Sequence, residues 1–130
     1  MNSLFEYWLR GPVDSVPPLL QPAAHALLQA REEVLLYMKD FPVNSLWTTP
    51  AGMASVAFHL QHLSGVLDRL FTYAKGLPLS DAQLSYLSVE GKETDETDLD
   101  TMLRNFVQTI DNSVSGLSGL VNLAHSQSII

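Results

Sequence analysis

The sequence predicts an all-α fold, and three observations predict it. Apolar residues recur at three- and four-residue steps in three separate segments. No alternating run bounded by a hairpin turn is present. Proline and glycine punctuate the periodic segments where helices start and stop. The chain has 130 residues, one domain's worth at ordinary domain size, so a single helical domain over residues 1–130 is expected.

The first helix is expected from about Leu19 to Lys39. Leu20, Ala24, Leu27, Leu28, Val34, Leu35 and Met38 form its apolar stripe, with Arg31, Glu32 and Glu33 between them. Pro17, Pro18 and Pro22 suit its first turn, where a missing N–H costs little. Phe41-Pro42 ends it.

The second helix carries the strongest signal. Thr49 is the expected cap and Pro50 the first helical residue, and the helix runs to about Lys75. Val56, Leu60, Leu63, Leu67, Leu70 and Ala74 make a seam at steps of four and three. Gly76 followed by Pro78 is a stop signal.

A third helix is expected from about Thr97 to Val114, with Leu99, Leu103, Phe106, Ile110 and Val114 as its stripe. Asp98 and Asp100 fall in its first turn, where the helix dipole favours negative charge. A fourth, short helix is expected from about Leu117 to Ile130, weakened by Gly116 and Gly119. Pro42 to Thr49 is a short loop. Gly76 to Glu96 is longer, and within it Ser80-Asp81 can start a small helix through Leu87. Amphipathic helices joined by such links read as an antiparallel bundle.

Acidic residues outnumber basic ones 14 to 7, for a net charge of −7. Nucleic acid and anionic membrane surfaces demand basic patches that this composition does not supply. The apolar fraction is 46%, the charged fraction only 16%, and the mean hydropathy +0.10. Typical domains carry about 25% charge, so part of the apolar surface is expected to meet another chain. Cysteine is absent, which removes disulfides, thiolate metal sites and a cysteine nucleophile. No apolar run reaches the roughly 18–20 residues of a membrane span. Residues 1–10 lack the features of a signal peptide. A cytoplasmic protein is expected.

The chemistry-bearing residues are few. His59 and His62 lie three apart on the second helix and so on neighbouring flanks of one face. Imidazoles near a bundle interior suit zinc, nickel or iron. A closed site needs three or four ligands, however, and one helix supplies two at most. On spacing alone, boundary histidines bonded to backbone or water are the plainer reading. The acidic run from Glu90 to Asp100 does not follow a calcium-loop pattern and reads as a solvated loop. Asp68-Arg69 reads as a surface ion pair, with Asp68 also placed to support a histidine ligand. Trp47 reads as a cap on the bundle end. No nucleophile elbow or glycine-rich phosphate loop occurs.

The run from Leu46 to Gly76, LWTTPAGMASVAFHLQHLSGVLDRLFTYAKG, resembles the DinB-like superfamily of DNA-damage-inducible and YfiT-like metal-dependent proteins. Pro18 to Pro22 (PLLQP), and Leu79-Ser80 with Gln83, resemble one branch of it. The similarity covers roughly Tyr7 to Asp111. It implies an up-down-down-up four-helix bundle, here with a short or truncated fourth helix, and often a dimer. It also implies a divalent metal held by three histidines, one on the second helix and an HxxxH pair on the fourth. His62, before Leu-Ser-Gly, matches the second-helix ligand. No HxxxH pair exists in this chain. Val121 to Gln127 matches the fourth-helix motif faintly, with Asn122 near one ligand position and His125 as the histidine left; either the site is degenerate or His25 substitutes from the first helix.

The expected metal residues are therefore His62, His125 and His59, with metal weakly held or absent. Two functions follow. One is a thiol-dependent transferase or hydrolase acting on a small molecule through a histidine-bound metal. The other is a non-catalytic helical module built for self-association. A homodimer is expected in either case. A short fourth helix would leave Leu67, Leu70, Phe71 or Phe106 wet, at about 1.5–3 kcal/mol each, and a twofold partner covers one patch with the same patch.

Overall fold

The computed structural model describes residues 5–94 and 97–127, with side chains described as far as Ser118 in the last helix. Four α-helices form within them: α1 (Gln21–Met38), α2 (Val56–Ala74), α3 (Asp81–Val89) and α4 (Leu99–Gln127). The all-α expectation holds, and there is no strand among the described residues.

Two apolar clusters set the helix directions. One joins Met38, Leu46, Ala57, Leu60 and Met102, with Phe41 and Trp47 packed against it. The other joins Val16, Ala24 and Leu117, with Leu27, Phe71 and Val114 around them. The end of α1 thus meets the beginnings of α2 and α4, and the beginning of α1 meets the far part of α4. So α1 is antiparallel to α4, while α2 runs parallel to it. The three long helices run up, down and down, and α3 is a short bracket in the crossover.

Each element has a local cause. Pro18–Leu20 is a 3-10 turn leading into α1. The Gln21 side chain holds the preceding segment, accepting from Val13 N at 2.7 Å and donating to the Val13 and Val16 carbonyls. Trp47, as expected, packs on the bundle end. The start of α2 differs from expectation. Ser55, not Thr49, is the cap, its hydroxyl accepting from Phe58 N at 3.0 Å. Pro50–Gly52 forms a separate 3-10 turn in which Ala51 takes φ +54°, a conformation no α-helix continues through. The stop at Gly76 is as expected. Gly76, at φ +72°, donates to the Tyr73 carbonyl while Leu77 donates to Thr72, the 5→2 and 6→1 pair that closes a helix end.

The seam expected on α2 is rotated. The buried residues are Ala57, Leu60, Gln61, Ser64, Gly65 and Arg69, whereas Leu63 and Leu70 are 39% and 55% exposed. Small residues on the buried face let neighbouring elements approach, and close approach outweighs the bulk of two leucines.

The largest departure is α4. The third and fourth expected helices are one element, so the short fourth helix does not form as a separate arm. Met102, Phe106, Ile110, Ser113 and Leu117 are buried at steps of four and three straight through Gly116. Gly116 does not break the helix because the Phe71 ring occupies the space beside it. A Cβ there would stand 3.2 Å from two ring carbons. Phe106, expected to be wet in a lone chain, is 1% exposed. Asp98 caps α4, accepting from the backbone N–H and hydroxyl of Thr101 at 3.1 and 2.7 Å. These bonds favour the ionised carboxyl and hold its pKa below the usual aspartate value. Among the described residues no helix is long and apolar enough to cross a membrane.

Candidate functional site

His62 sits one turn beyond Phe58 on α2, and the two rings stack with centroids 5.4 Å apart and planes 10° from parallel. Its Nδ1 lies 3.1 Å from Glu90 Oε2, and its side chain is 45% exposed. The ring is thus at the edge of the bundle, anchored on one nitrogen. His59 is exposed and presents itself edge-on to Phe58 at 5.6 Å. It shares an aromatic neighbour with His62 and no polar one. His25 bonds the Gly11 carbonyl at 2.9 Å, tying the N-terminal segment to α1. His125 lies within the helical span of α4, and its side chain lies outside the described residues. No three His, Cys, Asp or Glu side chains converge on a common point among the described residues. Among the described residues His62 is the imidazole oriented by a carboxylate, and His25 the one oriented by a backbone carbonyl.

Behind His62 lies a buried ionic network that the sequence reading missed. Glu90 ends α3 and turns its carboxylate inward. One oxygen meets His62 and the other accepts from Arg69 Nη1 at 2.9 Å. The acidic loop is therefore not solvated at its first residue. Nor does Arg69 pair with Asp68, its neighbour in sequence. Gly65 makes the network possible, since a Cβ there would stand 2.8 Å from both Arg69 Nη1 and Tyr86 Cε1 and would collide with Glu90 Oε1. Tyr86 donates to the Gln61 carbonyl at 2.9 Å. Gly91 N donates to Gln61 Oε1 at 2.7 Å, so the buried glutamine is satisfied from α3 and its following turn. Burial raises the Tyr86 hydroxyl above its ordinary pKa, and the Glu90 charge adds to this against the opposing effect of Arg69.

On the other side of Tyr86 a cleft of about 420 Å³ opens between α2, α3 and α4. That volume is within the range of small-molecule sites, about 300–1,000 Å³. One wall is α2, with Asp68, Phe71, Thr72 and Lys75. The opposite wall is α4, with Asn105, Gln108 and Asn112. The start of α3 fixes the first wall. Ser80 and Gln83 form a reciprocal cap at 3.1 and 2.8 Å, at the start of the small helix expected from Ser80-Asp81. Gln83 Nε2 then reaches Asp68 Oδ2 at 3.0 Å and Thr72 Oγ1 at 2.7 Å.

On the α4 wall, Gln108 Nε2 donates to Asn112 Oδ1 at 2.9 Å. Thr109 and Ser113 turn their hydroxyls onto their own helix carbonyls and leave the carboxamides to face the cleft. The Lys75 ammonium, the Asn105 carboxamide and Asn112 Nδ2 have no partner among the described residues. The three amides lie on the polar face of α4, where sequence alone reads them as ordinary surface. Only their spacing of three and four, on a helix whose other face is mostly apolar, marks them as one row.

No protein-family model, no curated protein and no solved structure matches the chain.

Proposed function

We propose that this chain is a helical binding protein of DinB-like architecture whose cleft between α2, α3 and α4 receives a small polar molecule. The observation that carries the reading is the cleft itself. It has about 420 Å³ of space, donors and acceptors from two facing helices, and a buried Arg69–Glu90 pair fixing its rear. Rigid elements that present unpartnered polar groups into a concavity are what a small-molecule site requires. The up-down-down order of the three long helices supports the DinB-like part of the reading. Amide shift mapping with a panel of small polar compounds tests it. Bound compounds should perturb residues 68–75 of α2 and 105–116 of α4 together. Perturbations scattered elsewhere, or none across the panel, overturn the reading.

A second reading is favoured by the bond between His62 and Glu90. A carboxylate on one ring nitrogen is the arrangement that orients a histidine to offer its other nitrogen to a divalent metal. In the DinB-like assignment His62 is the first ligand, with His125 and His59 as further candidates for zinc, nickel or iron. Zinc or nickel titration of the full chain should give weak binding that disappears in His62→Ala. Binding that survives His62→Ala rules this reading out.

A further inference from the structure

The cleft carries two formal charges and they are of opposite sign. Asp68 and Lys75 stand seven residues apart on α2, about 10 Å along the helix axis at 1.5 Å per residue. Side chains lean toward the helix N-terminus, and Lys75, the C-cap of α2, leans back on a longer stem than Asp68, which brings the two charges closer than that span. The two do not pair with each other. Asp68 keeps one carboxylate oxygen beyond its bond to Gln83, and the Lys75 ammonium has no partner among the described residues. The facing wall is neutral and amide-bearing, with Asn112 across from the Asp68 end, since Gly116 one turn further packs on Phe71.

This pattern selects a ligand class. A plain anion meets Asp68 and the field of a chain with net charge −7. A plain cation meets Lys75. A neutral sugar uses neither charge and must still displace the water around both. A ligand with an amine at one end, a carboxylate at the other and a polar middle satisfies all three parts. Extended peptide spans about 3.3–3.6 Å per residue, so two residues with their terminal groups cover roughly the span that Lys75 leaves. Resting on the cleft reading above, we propose that the cleft takes a zwitterion of dipeptide length. Its amine meets Asp68, its carboxylate meets Lys75, and its peptide group lies against the Asn112 carboxamide.

Titration calorimetry on the full chain tests this with five probes: diglycine, the singly capped N-acetyl-diglycine and diglycine amide, the doubly capped N-acetyl-diglycine amide, and glucose. Diglycine should bind saturably, and the doubly capped peptide should bind about tenfold more weakly or worse, the scale of losing a charge-assisted hydrogen bond. Asp68→Asn should weaken diglycine about tenfold yet leave N-acetyl-diglycine unchanged. Lys75→Met should weaken diglycine and leave diglycine amide unchanged. Both side chains are on exposed residues, and circular dichroism of each variant confirms the fold. If the capped peptide or glucose binds as well as diglycine, the zwitterion assignment falls and the cleft reading stands. If none of the five perturbs the amides of α2 and α4, both fall.

Discussion

Arg69 and Glu90 stand 21 positions apart in the chain and meet at 2.9 Å, with side chains 10% and 5% exposed. Two ions taken this far from water survive only because each satisfies the other, and Glu90 is further bonded to His62. The pair joins the middle of α2 to the end of α3. It thereby holds Tyr86, and with it one edge of the cleft.

Removing one member of the pair leaves the other buried and uncompensated. Glu90→Gln and Arg69→Met should each destabilise the chain by about 3–5 kcal/mol, the cost typical of orphaning a buried charge. The double substitution Arg69→Met with Glu90→Leu should cost less than either single change. Urea denaturation of the three variants gives the comparison. Additive losses in the double variant would mean that the two charges do not compensate each other.

Tyr86 makes stability fall at high pH. Its hydroxyl titrates above its ordinary value in the folded chain, chiefly because burial disfavours the phenolate and secondarily because Glu90 repels it. A group whose folded pKa is raised keeps its full contribution below the unfolded pKa and loses it as pH rises through the folded one. Stability should therefore decline from about pH 10 upward, and Tyr86→Phe should flatten that part of the profile. An unchanged slope in Tyr86→Phe would assign the decline to other groups.

Gly65 should tolerate no side chain. Alanine is favoured over glycine within a helix by about 1 kcal/mol. Here its Cβ would press on Arg69, Tyr86 and Glu90 together, and overpacking typically costs about 1–3 kcal/mol. Gly65→Ala should be destabilising on balance, with the loss concentrated in faster amide exchange of α3. Gly65→Ala as stable as the parent chain would mean that α3 sits more loosely than described.

What the sequence made legible was periodic or punctuated. The span of α1, the end of α2 at Gly76 and the start of α3 at Ser80-Asp81 follow from local chemistry, and local chemistry is written in consecutive residues. The burial of Leu60, Phe106 and Ile110 follows from the 3.6-residue period. The buried face of α2 is not legible from hydrophobic bulk, because smallness decides it. Ala57, Ser64 and Gly65 are buried since they permit contact, and that depends on where α3 and α4 lie. Arg69 and Glu90 looked like surface charges because nothing between positions 69 and 90 announces that they meet. The amide row of α4 was invisible for the same reason: a polar stripe becomes a wall only when another helix faces it.

The continuity of α4 yields the sharpest test. Sequence reading places a break near Gly116, between a helix ending at about Val114 and another starting at about Leu117. The structure carries one helix through it, with Ser113 and Leu117 buried on either side. The two arrangements answer proline differently. In a connecting loop, proline at 116 is neutral or mildly stabilising, because it restricts the unfolded chain. Inside a helix it removes an N–H···O bond and its ring strikes the carbonyl four residues earlier, at a cost of about 3 kcal/mol or more. Gly116→Ala separates this backbone effect from crowding, since among the described residues its Cβ meets the Phe71 ring alone, at 3.2 Å. Gly116→Pro should therefore lose about 3 kcal/mol or more, and Gly116→Ala should change stability far less, as the helix gain offsets a small displacement of Phe71. Thermal unfolding followed by circular dichroism measures both. A Gly116→Pro chain as stable as the parent would show that residues 115–118 are a loop and that the last stretch of the chain is a separate helix.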